Sequence, residues 1–204
     1  MLDNELEEEV KYYVLGLKHV EDQLEKIGAD LIQPRIFEFN LLYDTQDGNL
    51  KKNFQYLRLR KEKVTLLTFK GPRKIIDGMH SRVEIEIEVS NFDRTKTLLK
   101  TLGYQVIWTY EKYRTTYQIK GIKITADELP FGDFIEIEGK DRSEINEISL
   151  ELGLKWDNRI LNGYLQLFQT GKNNSGLLIA NLTFSEFRDI KFTPEMLGVV
   201  PADK

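Results

Sequence analysis

The sequence contains no cysteine, which excludes disulfides and thiolate metal sites. Its 2 histidines, His19 and His80, fall outside every acidic cluster, so a zinc site is not expected. No uninterrupted apolar run is long enough to span a bilayer, and the acidic N-terminus has no apolar signal stretch. Neither sign of charge dominates. With 29 Lys and Arg against 33 Asp and Glu the net charge is -4, which gives no bulk reason to expect nucleic-acid binding. Phe69-Lys70-Gly71-Pro72-Arg73-Lys74 lacks the spaced glycines and the Ser/Thr of a P-loop. There is no dinucleotide glycine fingerprint and no nucleophile elbow. A cytoplasmic globular protein, with neither membrane nor nucleic acid as partner, is the expectation.

What is present is alternation. Arg82-Val83-Glu84-Ile85-Glu86-Ile87-Glu88-Val89 and Phe134-Ile135-Glu136-Ile137-Glu138 put Val and Ile on one face of a strand and carboxylates on the other. Tyr56-Leu57-Arg58-Leu59-Arg60 and Lys112-Tyr113-Arg114-Thr115 do the same with bases. Several such strands, some acidic and some basic, predict a sheet closed around a charged interior. Helices are expected from Leu17 to Ile27, from Ser90 or Asn91 to Gly103, from Ser143 to Leu152, and over Arg159 to Phe168. The first three each follow an acidic strand, which fits helices covering outward apolar faces. Thr170 to Ser175 reads as a linker, and residues 171–204 as a linker and extension without a derived role. Phe37, Phe39, Tyr43, Trp108 and Tyr110 are assigned to the core.

Two sets of side chains carry the chemistry. The acidic set is Glu7, Glu9, Glu84, Glu86, Asp127, Glu136 and Glu138. Oxygen-only donors favour hard divalent cations, Mg²⁺ or Mn²⁺, where phosphate completes the shell. Glu88 shares the parity of Glu84 and Glu86. The basic set is Lys11, Arg58, Arg60, Lys70, Lys112 and Arg114, residue types that grip phosphate oxygens. Taken singly, each could be an ordinary solvated face or a structural ion pair. Recurrence on several strands favours a site where a cation meets a polyphosphate.

In this order the motifs resemble the CYTH superfamily, the triphosphate tunnel enzymes. They are Glu7-Glu8-Glu9-Val10-Lys11, Leu57-Arg58-Leu59-Arg60, Lys70-Gly71-Pro72, Arg82-Val83-Glu84-Ile85-Glu86, Glu111-Lys112-Tyr113-Arg114, Asp127 and Phe134-Ile135-Glu136-Ile137-Glu138-Gly139. The chain looks most similar to the class IV adenylyl cyclase branch. The resemblance implies an α+β, mainly antiparallel fold over residues 1–170, an eight-stranded closed β-barrel with helices packed outside. It assigns triphosphate binding to the six bases, with Lys11, Arg58, Lys112 and Arg114 catalytic, and metal binding to the seven carboxylates. Hydrolysis of tripolyphosphate, ATP or thiamine triphosphate is the expected reaction. Cyclisation of ATP to cyclic AMP and pyrophosphate is the alternative, and a non-catalytic polyphosphate-binding module the rival. A monomer or homodimer is expected.

Overall fold

On β1 (Glu7–Val14) the residues Val10, Tyr12 and Val14 are buried together on one face, while Glu9 and Lys11 belong to the other. The computed structural model, which describes residues 7–72, 74–76 and 79–204, carries this alternation through one antiparallel sheet. Its further strands are β2 (Asp30–Thr45), β3 (Tyr56–Lys61), β4 (Thr65–Lys70), β5 (Lys74–Ile76), β6 (Met79–Arg82), β7 (Glu84–Val89), β8 (Tyr104–Ile119), β9 (Ile122–Leu129) and β10 (Gly132–Gly139). The order across the sheet is β5-β6-β1-β10-β9-β8-β2-β3-β4-β7.

This corrects the expected closed barrel of eight strands. Among the described residues the sheet has 10 strands and is open, with β5 and β7 at its two ends. The break has a local cause. β4 and β5 are separated at Gly71-Pro72, where proline offers no ladder donor, and β6 and β7 are separated at Val83. The Gly71 N–H is held by the Val83 carbonyl at 2.8 Å, so both interruptions meet at one point. The sheet nevertheless curls enough for β1, β3, β4, β7, β8 and β10 to line a single cavity. β2 runs for 16 residues, and its register shifts on both sides of Gln33, next to Pro34.

Three helices follow the acidic strands. α1 (Leu17–Lys26) buries Val20 and Leu24, α3 (Phe92–Thr101) buries Leu99, and α4 (Arg142–Glu151) buries Ile145 and Ile148. Asn91 caps α3 by accepting from the Arg94 N–H at 2.9 Å, and Asp141 caps α4 by accepting from Ser143 and Glu144. α1 and α4 pack on the outward face of β1, β9 and β10, with Tyr12, Ile124, Ile135 and Ile137. Full burial of each such aliphatic side chain contributes about 1.5–3 kcal/mol. The outward face of β7 is less covered: Ile85 and Ile87 remain 50% and 53% exposed. A short helix, α2 (Asn49–Lys52), follows the Asp47-Gly48 turn, its N–H groups capped by Asp44. No helix among the described residues is long and apolar enough to cross a membrane.

The C-terminal segment departs most from expectation. Thr170 to Ser175, read as a linker, are the last turns of α5 (Tyr164–Ser175), which starts later than the helix expected at Arg159. Beyond it, Ile179, Leu182, Phe187, Phe192 and Leu197 of the short α6 (Pro194–Leu197) join a buried cluster. That cluster holds Tyr13, Leu129, Phe134, Trp108 and Tyr110, inward-facing residues from one end of the sheet. Leu182 pairs with the backbone of β8 at Thr109 and Glu111, and Ala202 N–H donates to the Tyr13 carbonyl at 2.9 Å. The segment therefore closes one end of the curled sheet.

Gly171 marks how tightly it does so. A Cβ at this position would lie 2.3 Å from Phe192 Cε2 and 2.5 Å from Cδ2. Gly171→Ala should lower stability by about 1–3 kcal/mol despite alanine's better helix propensity. Urea unfolding of wild type and variant measures this, and a stabilised variant would show that α5 and α6 are not packed this closely.

Candidate functional site

The inward side chains meet in a cavity of about 190 Å³. All six expected bases line it: Lys11 from β1, Arg58 and Arg60 from β3, Lys70 from β4, and Lys112 and Arg114 from β8. Of the expected carboxylates, Glu9, Glu84, Glu86, Glu136 and Glu138 line it as well. Register brings them opposite one another, with Lys11 paired across the strands to Glu136, Glu9 to Glu138, and Lys70 to Glu84. The Glu7 side chain lies outside the described residues. Glu88 is exposed and does not border the cavity.

Each charge is met by an opposite one. Lys11 Nζ donates to Glu9 at 3.0 Å and to Glu136 by a shorter contact. Burial alone would lower the Lys11 pKa, but Glu136 and Glu9 outweigh it and hold the amine above its usual value. Burial likewise pushes the Glu136 carboxyl up, while Lys11, Arg114 and Lys112 drive it well below the ordinary carboxylate range. On the opposite wall Glu86 accepts from Thr68 at 2.6 Å, from Arg60 at 3.3 Å and from Arg58 at 3.4 Å. Lys70 pairs with Glu84 at 2.5 Å, and Lys123 with Glu138 at 2.8 Å.

Asp127 stands apart from the other expected ligands. It is fully buried and lies behind the bases rather than on the cavity wall. Its oxygens accept two bonds from Arg114 at 2.6 Å, one from Lys112 at 2.9 Å and one from the Tyr164 hydroxyl at 2.8 Å. Among the described residues no group of three His, Asp or Glu side chains is arranged to hold a metal ion. The donor chemistry still suits a hard divalent cation, since five cavity carboxylates present only oxygen.

Sequence reasoning missed two side chains. Tyr164, at the start of α5, places its ring 4.5 Å from Lys11 Nζ and 5.6 Å from Lys112 Nζ. Its hydroxyl proton is held well above the usual phenol range by burial first, then by the Asp127 and Glu136 carboxylates. Nothing in the chain near Tyr164 announces that contact, which arises from folding alone. Glu38 on β2 is fully buried beneath the bases. It lies 3.6 Å from Lys112, 3.8 Å from Arg114 and 3.9 Å from Arg60, and neither oxygen has a hydrogen-bond partner among the described residues. The alternation Phe37-Glu38-Phe39-Asn40 carried the signal, without a neighbouring acid to raise it.

The family model described as the CYTH domain matches residues 5–154. The chain belongs to the CYTH domain family. A Methanocaldococcus jannaschii protein named as a candidate adenylate cyclase is 29% identical over 174 residues, covering 79% of this chain and 98% of that relative. A solved Pyrococcus horikoshii protein is 29% identical with a TM-score of 0.66, covering 80% of this chain and 98% of its own. A Vibrio parahaemolyticus structure named as a candidate adenylate cyclase reaches a TM-score of 0.72 at 21% identity, covering 82% and 99% of the two chains. That last likeness concerns the fold alone. Within the CYTH match fall all six bases and both Glu38 and Asp127, whereas Tyr164 and the rest of α5 lie beyond it.

Glu38 gives a test of the charge balance. Burial pushes its carboxyl up, but Lys112, Arg114, Arg60 and Arg58 overcome this and bring it from 4.5 to about 2. The folded pKa is depressed, so the group stabilises the fold above about pH 4.5 and loses that contribution as pH falls towards 2. The shift corresponds to about 3 kcal/mol. Glu38→Gln should be less stable than wild type at pH 7, and the gap should close by about 2–3 kcal/mol near pH 2.5. Urea unfolding at the two pH values measures it. A gap independent of pH would show that Glu38 does not balance the bases.

Proposed function

We propose that this CYTH protein is an enzyme that hydrolyses a triphosphate held by Lys11, Arg58, Arg60, Lys70, Lys112 and Arg114. The observation that carries the reading is the convergence of all six bases on one cavity. A scaffold needs ion pairs but has no use for an empty space between them. Forked guanidiniums at Arg58, Arg60 and Arg114 suit bidentate contact with phosphate oxygens, and Lys11, Lys70 and Lys112 supply movable point charges. Glu38 and Asp127 hold Arg60, Lys112 and Arg114 in place from behind, so the bases face the substrate without reorganising.

CYTH triphosphate tunnel enzymes generally depend on a divalent metal. Here Glu9, Glu136 and Glu138, on adjacent strands, are the residues that would hold Mg²⁺ or Mn²⁺, with Glu84 and Glu86 on the facing wall. Bound there, the ion would neutralise charge on the phosphates. Asp127, with its oxygens occupied by three side chains, is left with positioning. Cyclisation of ATP remains the second reading, favoured by the name of the archaeal relative.

The protein incubated with tripolyphosphate or ATP and Mg²⁺ or Mn²⁺ should release orthophosphate. Cyclic AMP with an equal amount of pyrophosphate would replace hydrolysis by cyclisation, and tight binding without product would leave a binding module. Arg58→Ala should lower kcat/KM by about 10²–10³-fold, the usual cost of removing one preorganised donor to a developing charge.

A further inference from the structure

Asp127 accepts four hydrogen bonds, about as many as a carboxylate has lone-pair positions. Oδ1 takes the Arg114 Nε–H, while Oδ2 takes Arg114 Nη2, Lys112 Nζ and the Tyr164 hydroxyl. Three of these bonds come from cationic groups on β8. The fourth donor is neutral and comes from α5, outside the residues matched by the CYTH family. Its ring borders the cavity, 4.5 Å from Lys11 Nζ and 5.6 Å from Lys112 Nζ. One tyrosine thus attracts two ammonium groups through its ring and fills the carboxylate that one of them is bonded to.

The fold fixes Tyr164 from several sides without help from a ligand. Phe134 meets its ring edge-on at 5.2 Å and 75°, and Phe131 lies at 6.5 Å. The helix start is closed by Gln166, whose side chain accepts from the Gly163 N–H at 2.9 Å. Leu167 and Phe168, next along α5, are buried. Just ahead of the helix, the Ile160 N–H donates to the Lys11 carbonyl at 2.7 Å. The approach to Tyr164 is therefore tied to the strand that carries Lys11.

Resting on the triphosphate reading, we infer that Tyr164 is a positioning residue for Lys112 and Lys11. Its hydroxyl occupies the last acceptor position of Asp127, which limits how far Lys112 is drawn back onto that carboxylate. Without it a buried acceptor stands open, which is costly, and Lys112 is bonded to the same oxygen. The ring in turn draws both ammonium groups to one side of the cavity. Residues within the CYTH match supply the charges, and the C-terminal segment supplies the group that aims two of them.

Tyr164→Phe keeps the ring and removes the hydroxyl, whereas Tyr164→Leu removes both. Turnover of tripolyphosphate and ATP with Mg²⁺ or Mn²⁺ is followed through orthophosphate and pyrophosphate release. Tyr164→Phe should lower kcat about tenfold and change KM less than about twofold, since aim matters most where charge develops in the transition state. Tyr164→Leu should cost about 10²-fold in kcat, the scale of a small misplacement of a catalytic group. With Lys112→Met already present, Tyr164→Phe should cost less than about twofold, because it acts through that lysine. The split between kcat and KM in Tyr164→Phe decides the matter alone if Lys112→Met does not fold. An unchanged kcat, a loss in KM alone, or the same tenfold loss with and without Lys112 would overturn the inference and leave the hydrolase reading standing. Cyclic AMP as product, with the kcat losses intact, would overturn hydrolysis and keep the role of Tyr164. Absence of turnover by wild type would overturn both.

Discussion

The structure depends on opposite charges being buried together. Lys11, Lys112 and Arg114 are nearly or fully withdrawn from water, and an isolated buried charge costs several kcal/mol. The fold meets that cost by strand register. Because facing residues on adjacent antiparallel strands share a face, Lys11 meets Glu136 and Arg114 meets Asp127 without any side chain reaching far. Glu38 completes the balance from below, near enough to three bases for attraction yet too far for hydrogen bonds. Its oxygens attract all three cations at once.

The same inner face has to end somewhere, and its apolar end needs cover. Tyr13, Leu129 and Phe134 sit on the inward parity of β1, β9 and β10, one step past the charged positions. Exposed together they would form an apolar patch, so α5 and the segment after it pack onto them. Backbone bonds fix the lid to β1 and β8: Ile160, just ahead of α5, to Lys11, Leu182 to β8, and Ala202 to Tyr13. Through Tyr164 the lid also touches Asp127, Lys11 and Lys112. Sealing the core and shaping the site are thus done by one helix.

Parity made much of the site legible in the sequence. A strand written Arg58-Leu59-Arg60 can place both guanidiniums on one face only, and the curvature of the sheet brings that face to Lys112 and Lys11. What parity could not convey was depth. Asp127 has the same pattern as Glu136, yet one lies behind the bases and the other on the wall, a distinction set by side-chain length and by Tyr164. Closure was also illegible. Gly71-Pro72 reads as a turn in sequence, while in space it interrupts the ladder opposite Val83 and leaves the sheet open. The C-terminal residues carry no alternation, so their apolar side chains showed neither a face nor a partner. Trp108 and Tyr110 were assigned to the core and do belong to it, but they also border the cavity.

The pairing of every cavity base has a consequence for ligand binding. A polyanion that draws Lys11 and Arg114 towards itself leaves Glu136 less compensated, and drawing on Arg58 and Arg60 does the same to Glu86. Repulsion between the freed carboxylates and the phosphates would then oppose binding in a space of restricted dielectric. A divalent cation relieves both at once, since it is attracted to the carboxylates and to the phosphates. On the proposed reading, polyphosphate and cation would therefore favour each other's binding through the same groups, and by linkage the coupling would be reciprocal. On this account the interleaving of acids and bases along the strands makes anion binding conditional on a cation. A cavity lined by bases alone would bind polyanions without discrimination, and the acidic strands of the proposed site would oppose that.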